Sequence, residues 1–230
     1  MDAEEAAGWL EVAGRMAPYP TFMVGSGPDI GGNEMAFPRF TRGDHYMFTG
    51  YYPVNLADEY NLDSPQEIKD MMTRTGDALG NARNWEPYVL LGASKDYIPR
   101  SYGKGAVKIE NYEILAKDLK EAPERLMNSR SGRIHLFPAL PDWTCAAFRD
   151  FLARGGFAVS AARDENGVKA VTIKAARSIP CRLMDPWIGK KVAVMDLTGG
   201  EVIPAAIDST NGECIVFQAE KGHIYSIDVL

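Results

Sequence analysis

From Gly156 onward the apolar residues fall on every second position, and short turns interrupt them at close intervals. Phe157, Val159 and Ala161 alternate with other residues, Asp164-Glu165-Asn166-Gly167 intervenes, and Val168 to Lys174 alternates again. Asn-Gly between two alternating runs is the strongest short-range hairpin signal, because the turn that matches strand twist needs φ > 0, which Asn and Gly tolerate. A period of two also places one face of each strand against a core, which a helix cannot do with the same spacing. Ile179 to Leu183, Lys191 to Leu197, Val202 to Ile207, Cys214 to Ala219 and Ile224 to Val229 continue the pattern, with Gly199-Gly200 and a second Asn-Gly at Asn211-Gly212 between them. Many short alternating strands joined by tight turns predict an antiparallel β-sandwich.

Upstream the period is helical. Trp9, Leu10, Val12, Ala13 and Met16 predict a helix over Ala3–Ala17, ended by Pro18-Tyr19-Pro20 because proline lacks the amide and restricts its predecessor. Thr21 to Asp58 is rich in Gly, Pro and aromatics; it reads as an irregular region lining a surface or cleft. Ser64-Pro65-Gln66-Glu67 has the composition of a capping box, and Ile68, Met71, Met72, Thr75 and Leu79 share one face of the helix that follows. Further helices are expected over Trp85–Leu91 and Asn111–Met127, the latter kinked at Pro123. A last helix is expected from Asp142 to Ala153, burying Cys145, Phe148, Phe151 and Leu152 and stopped by Gly155-Gly156. The fold class is therefore α+β: a helical region over residues 1–130, then a β-sandwich over 131–230 with a linking helix near 142–153.

Composition narrows the partners. A net charge of -6 and an acidic pI of about 5.2 argue against binding to nucleic acid or an anionic membrane. The chain has no apolar run long enough to span a bilayer, and its acidic, amphipathic start is unlike a signal peptide, so its compartment stays open. Cys145, Cys181 and Cys214 are widely spaced and read as small buried apolar residues. His45, His135 and His223 are equally scattered, so neither a metal nor a cofactor is expected. Gly25-Ser26-Gly27 and Gly31-Gly32 lack the spacing of a phosphate loop.

One segment carries a family resemblance. Ser131-Gly132-Arg133-Ile134-His135-Leu136-Phe137-Pro138-Ala139-Leu140-Pro141, then Trp143, resembles a signature of glycoside hydrolase family 95, which contains α-L-fucosidases and some α-galactosidases. Phe151-Leu152-Ala153-Arg154-Gly155-Gly156-Phe157, the Asn166-Gly167 turn and Cys181-Arg182 are similar to elements that follow it there. Weaker similarities lie upstream at Trp9, Ala17-Pro18-Tyr19-Pro20, Gly50-Tyr51-Tyr52-Pro53 and Thr73-Arg74-Thr75-Gly76-Asp77. The resemblance implies the last helices of an (α/α)6 barrel of the six-hairpin type, followed by the C-terminal β domain. It also implies an oligo- or polysaccharide as partner.

The resemblance implies an inverting mechanism, which needs two carboxyl groups roughly 6.5 to 9.5 Å apart to admit a water. The family's general acid and helper asparagines lie upstream of anything in this chain. Its base-side aspartate sits in an Asp-Gly-Asn-Phe motif, and the matching region here is Ile109-Glu110-Asn111-Tyr112. Glu110 is thus the candidate catalytic carboxylate, one position shifted, and equally a first-turn residue favouring the helix dipole. Asn111, His45, Trp85 and Tyr51 are the candidate substrate-binding residues; the aromatics suit stacking on sugar C–H faces, or a buried aromatic cluster. His135 reads as a packed residue or an acid/base group. The expected function is a C-terminal fragment or diverged relative of a family-95-like glycosidase, catalytically incomplete alone and self-associating through exposed apolar helix faces. The alternative is a non-catalytic carbohydrate- or protein-binding module.

Overall fold

A computed structural model describes residues 3–16, 21–24, 33–36, 39–42, 45–48, 59–78, 90–92, 123–140 and 145–230. The chain forms two compact units, residues 1–50 and 51–230. In the first, α1 (Ala3–Gly14) occupies the predicted helix, with Trp9, Leu10, Val12 and Met16 all exposed. The stretch expected to be irregular instead contains two antiparallel hairpins, β1 (Thr21–Val24) with β2 (Asn33–Ala36) and β3 (Arg39–Arg42) with β4 (His45–Phe48). The pair Gly43-Asp44 between β3 and β4 has the composition that two-residue hairpin connections favour.

The second unit begins with α2 (Gln66–Ala78), preceded by the predicted cap residues. The Pro65 carbonyl accepts the first helical amides, from Ile68 and Lys69, while Ser64 Oγ accepts the Asn61 amide at 2.9 Å. Met72 on this helix is fully buried, as are Leu91 and Ala139. Of the helix expected over Asn111–Met127, residues 123–126 are helical and the rest up to 122 lies outside the described residues. Met127 already belongs to β5 (Met127–Asn128), paired with β6 (His135–Leu136). Leu90 and Leu91, the described end of the helix expected over Trp85–Leu91, are in a turn and a bend.

The rest is a sandwich. Its larger sheet has six antiparallel strands in the order β12-β11-β15-β9-β8-β7: β12 (Glu201–Ile203), β11 (Val192–Asp196), β15 (Ile224–Val229), β9 (Gly167–Ala175), β8 (Phe157–Asp164) and β7 (Ala146–Ala153). The smaller has the order β10-β14-β13: β10 (Pro180–Met184), β14 (Cys214–Gln218) and β13 (Ala205–Asp208). Ile134 extends it, donating its amide to Arg182 O at 2.8 Å and accepting that of Met184 at 2.9 Å. The alternation read from the sequence decides the inner faces: Phe157, Val159, Ala161, Val171, Ile173, Tyr225 and Ile227 from one sheet meet Cys181, Leu183, Ile215 and Phe217 from the other. Phe217 and Tyr225 meet across the gap with their rings tilted and the centroids 5.1 Å apart. Trp187 closes one side, its indole N–H donating to Val168 O at 2.8 Å, so that a large apolar ring is buried without an unpaired donor.

Two expectations fail inside the sandwich. The helix near 142–153 is the edge strand β7 where it is described, from Ala146 on. The physical reason is a β-bulge: Phe148 pairs with Ala161 and Phe151 with Val159, so Arg149 and Asp150 together face Ser160. One extra residue turns a spacing of two into a spacing of three, which imitates helical periodicity. Leu152, expected inside, is 83% exposed, and Cys145 is exposed rather than buried. Gly155-Gly156 is not a helix stop but the turn from β7 to β8; Gly155 sits at φ +91°, and a Cβ there would meet the Phe157 ring at 2.9 Å. Second, the run Val202–Ile207 is not one strand. Pro204, which has no amide to pair, separates β12 from β13, and the chain crosses from the large sheet to the small one.

Candidate functional site

Glu110, Asn111, Trp85 and Tyr51 lie outside the described residues. The backbone of His45 is placed in β4, paired with Arg42. The titratable side chains that the fold does bring together are different ones, and they gather where the signature stretch meets the segment leading into α2.

Asp63, just ahead of α2, faces Arg133 and His135 from the start of the sandwich sequence. His135 Nε2 lies 3.2 Å from Asp63 Oδ1 and Arg133 Nε 3.8 Å from Asp63 Oδ2, with all three side chains 11–13% exposed. Arg133 also donates to the Asn211 carbonyl at 2.8 Å and stands 4.0 Å from Asp208. Asp208 in turn accepts from Arg182 at 2.5 Å and from the Thr210 hydroxyl at 2.6 Å. The alternation of the signature makes this arrangement possible. Ile134 goes into the core, so its neighbours Arg133 and His135 point the other way, toward Asp63.

The electrostatics follow from these contacts. Burial pushes the Asp63 carboxyl up, but the close approach of His135, a hydrogen bond from Ser131 and the Arg133 guanidinium outweigh it and leave the group below the usual carboxylate range. Asp208 is held at about 2, first by the Thr210 hydroxyl and amide and then by Arg182. A general acid must be protonated near its working pH, so neither carboxylate is suited to that role. Their chemistry is that of a clamp: ionised oxygens tied to guanidinium and imidazole across two parts of the chain. His135 takes the packed role of the two that its sequence context left open.

A second pair lies at the edge of the large sheet. Asp196 Oδ2 is 2.7 Å from His223 Nδ1, while its Oδ1 accepts the amides of Thr198 and Gly199. The hydrogen bond to Asp196 raises His223 above the ordinary histidine value, and the same bond lowers Asp196. Glu220 stands 3.8 Å from the other ring nitrogen, in the place a nucleophile would occupy in a catalytic Asp-His arrangement. Asp196 is therefore a turn residue, and the sequence Asp196-Leu197-Thr198-Gly199 carries that signal, as Asp208-Ser209-Thr210 does for Asp208. Burial and its neighbour Cys214 push the Cys181 thiol up to about 12, which makes it inert as a nucleophile. Among the described residues no group of three or more His, Cys, Asp or Glu could hold a metal ion, and no helix is long and apolar enough to cross a membrane.

Residues 128–227, the clamp's Arg133 and His135 among them, match the family model described as "Glycoside hydrolase family 95, C-terminal domain". This part of the chain is similar to that family's C-terminal domain. The match begins at β5 and ends within β15, so the matched segment takes in both sheets of the sandwich. No curated protein sequence matches the chain. The likeness is to a glycoside hydrolase-related family. Of the described clamp residues, Asp63 alone lies outside the matched segment.

Proposed function

We propose that the chain is the C-terminal portion, or a diverged relative, of a family-95-like glycoside hydrolase of the α-L-fucosidase or α-galactosidase class, and that it is catalytically incomplete alone. In this reading the region before the sandwich corresponds to the last helices of an (α/α)6 barrel, and the sandwich braces the segment ahead of α2. The observation that carries the reading is the joint one: the matched segment begins with the residues that reach out of it, Arg133 and His135, to hold Asp63 ahead of α2. Glu110 is the proposed base-side carboxylate, with Asn111, Trp85, Tyr51 and His45 as its proposed sugar-contacting neighbours. The exposed apolar side chains of α1 support the expected self-association.

The test is turnover of 4-nitrophenyl α-L-fucoside and 4-nitrophenyl α-D-galactoside by the isolated chain. The expected result is no release above buffer, with activity gained only on adding a complementary barrel segment. Turnover by the chain alone, abolished in Glu110→Gln, would overturn the proposed incompleteness. A non-catalytic saccharide-binding module is the second reading; the altered Glu110-Asn111 motif favours it, and binding without turnover is its signature.

A further inference from the structure

The bulge in β7 does more than shift its register. It forms one wall of a groove of about 640 Å³, within the range of roughly 300–1,000 Å³ typical of small-ligand sites. The opposite wall is the segment from Pro123 to Arg130, which runs from the helical residues 123–126 through β5. Both walls belong to the 51–230 unit.

The groove is organised before any ligand arrives. Glu124 is held at both oxygens, by Arg130 Nε at 3.0 Å and Asn128 Nδ2 at 2.8 Å, with its side chain 19% exposed. Arg154 locks the two walls together, its guanidinium donating to the Arg130 carbonyl and its amide to Ser129 Oγ. On the bulge, Asp150 sits at φ +55°, a backbone conformation that non-glycine residues rarely adopt, with its carboxylate bonded to Lys174 at 2.8 Å. Strain of this kind persists where the surroundings over-determine it, and bulges recur where a strand re-aims side chains at a site. Here the bulge puts a carboxylate beside Phe151, half-buried against Phe148, and Leu152, almost fully exposed.

The lining decides the ligand class. Among the lining residues two carboxylates balance two guanidinium groups, with Lys174 paired to Asp150 beside them, so the lining carries no strong net charge to select an anion or a cation. Fixed donors and acceptors of both kinds next to an apolar ledge suit a neutral polyhydroxylated ring: hydroxyls bridge carboxylate and guanidinium while the C–H face lies on Phe151 and Leu152. A carboxylate has about four acceptor positions, and the contacts to Glu124 leave room for a hydroxyl donor. The geometry points to a neutral saccharide subsite in the groove between the β7 bulge and the 123–130 segment. This inference rests on the carbohydrate reading of the family and adds a site to it.

The experiment is an amide-detected NMR titration of the full chain with methyl α-L-fucopyranoside and methyl α-D-galactopyranoside. Saturable shifts confined to residues 124–130 and 150–154, with half-saturation at ~1 mM or below for at least one glycoside, are expected. Asp150→Gly is the decisive variant, because glycine accepts the left-handed backbone and only the carboxylate is lost; Glu124→Gln, close in shape, is the second. Each should weaken binding about tenfold or more while the melting temperature stays near that of the parent. Absence of saturable shifts with both glycosides overturns the subsite, as does parent-like binding by both variants. Saturable shifts elsewhere on the sandwich also overturn it, while leaving the carbohydrate reading intact. Glycosidase turnover is a separate readout, so failure of the proposed function and failure of the subsite are told apart.

Discussion

Among the described residues, two non-glycine residues, Phe137 and Asp150, hold positive φ, and they do so for different reasons. Phe137 is 3% exposed, edge-on to Phe148 at 5.4 Å, with the Arg163 guanidinium 5.8 Å from its ring centre, so the burial of one large ring offsets its backbone strain. Asp150 is exposed and gains little from packing. Its amide donates to Ser160 Oγ at 2.9 Å, and aspartate tolerates the left-handed region better than most residues. Asp150→Gly is therefore expected to be neutral or stabilising by up to about 1 kcal/mol, and Asp150→Val to destabilise by about 1–2 kcal/mol. Urea unfolding of the two variants checks this. Equal stabilities would mean that position 150 is extended and β7 is not bulged as described.

β7 also shows what the sequence made legible and what it hid. The β8–β9 hairpin was readable because Asn166-Gly167 and strict alternation agree, and β15 runs over the predicted Ile224–Val229. β7 was not, because an extra residue at the bulge leaves Phe148, Phe151 and Leu152 at helix-like intervals. Sheet membership was equally hidden. Nothing local says that Pro204 divides a run between two sheets, since that depends on partners in β11 and β14. Of the candidate site, the signature stretch was legible as a motif, but its partner Asp63 lies far upstream in the chain, and no local pattern links the two. Strand and helix make opposite demands on β7 that substitutions can read. Phe148→Ala is expected to cost about 3–5 kcal/mol, whereas Leu152→Ala should stay within about 0.5 kcal/mol. A buried helical face would make both expensive, so a large loss at Leu152 would count against the strand.

At the scale of the molecule, ionised aspartates and one histidine set opposing pH limits. Asp63, Asp196 and Asp208 all have folded-state values below the ordinary carboxylate range. Their stabilisation is complete above the unfolded value, roughly pH 4, and is lost as pH falls through the folded values, last at Asp208. His223 is shifted the other way, raised by Asp196. Its contribution is complete below roughly pH 6.5 and disappears as pH rises through the raised value. The wild-type melting temperature minus that of His223→Gln should therefore be largest between roughly pH 5 and 6.5 and shrink toward pH 8. The same difference for Asp63→Asn should hold across that range and vanish only in acid, because the clamp between the sandwich and the segment ahead of α2 depends on an ionised Asp63. Differences between variants cancel every titrating group that the two proteins share. If the His223 difference grew with pH, the Asp196–His223 pair would not be the source of the alkaline limit. If the Asp63 difference were absent at neutral pH, the clamp would contribute nothing to holding the two parts of the fold together.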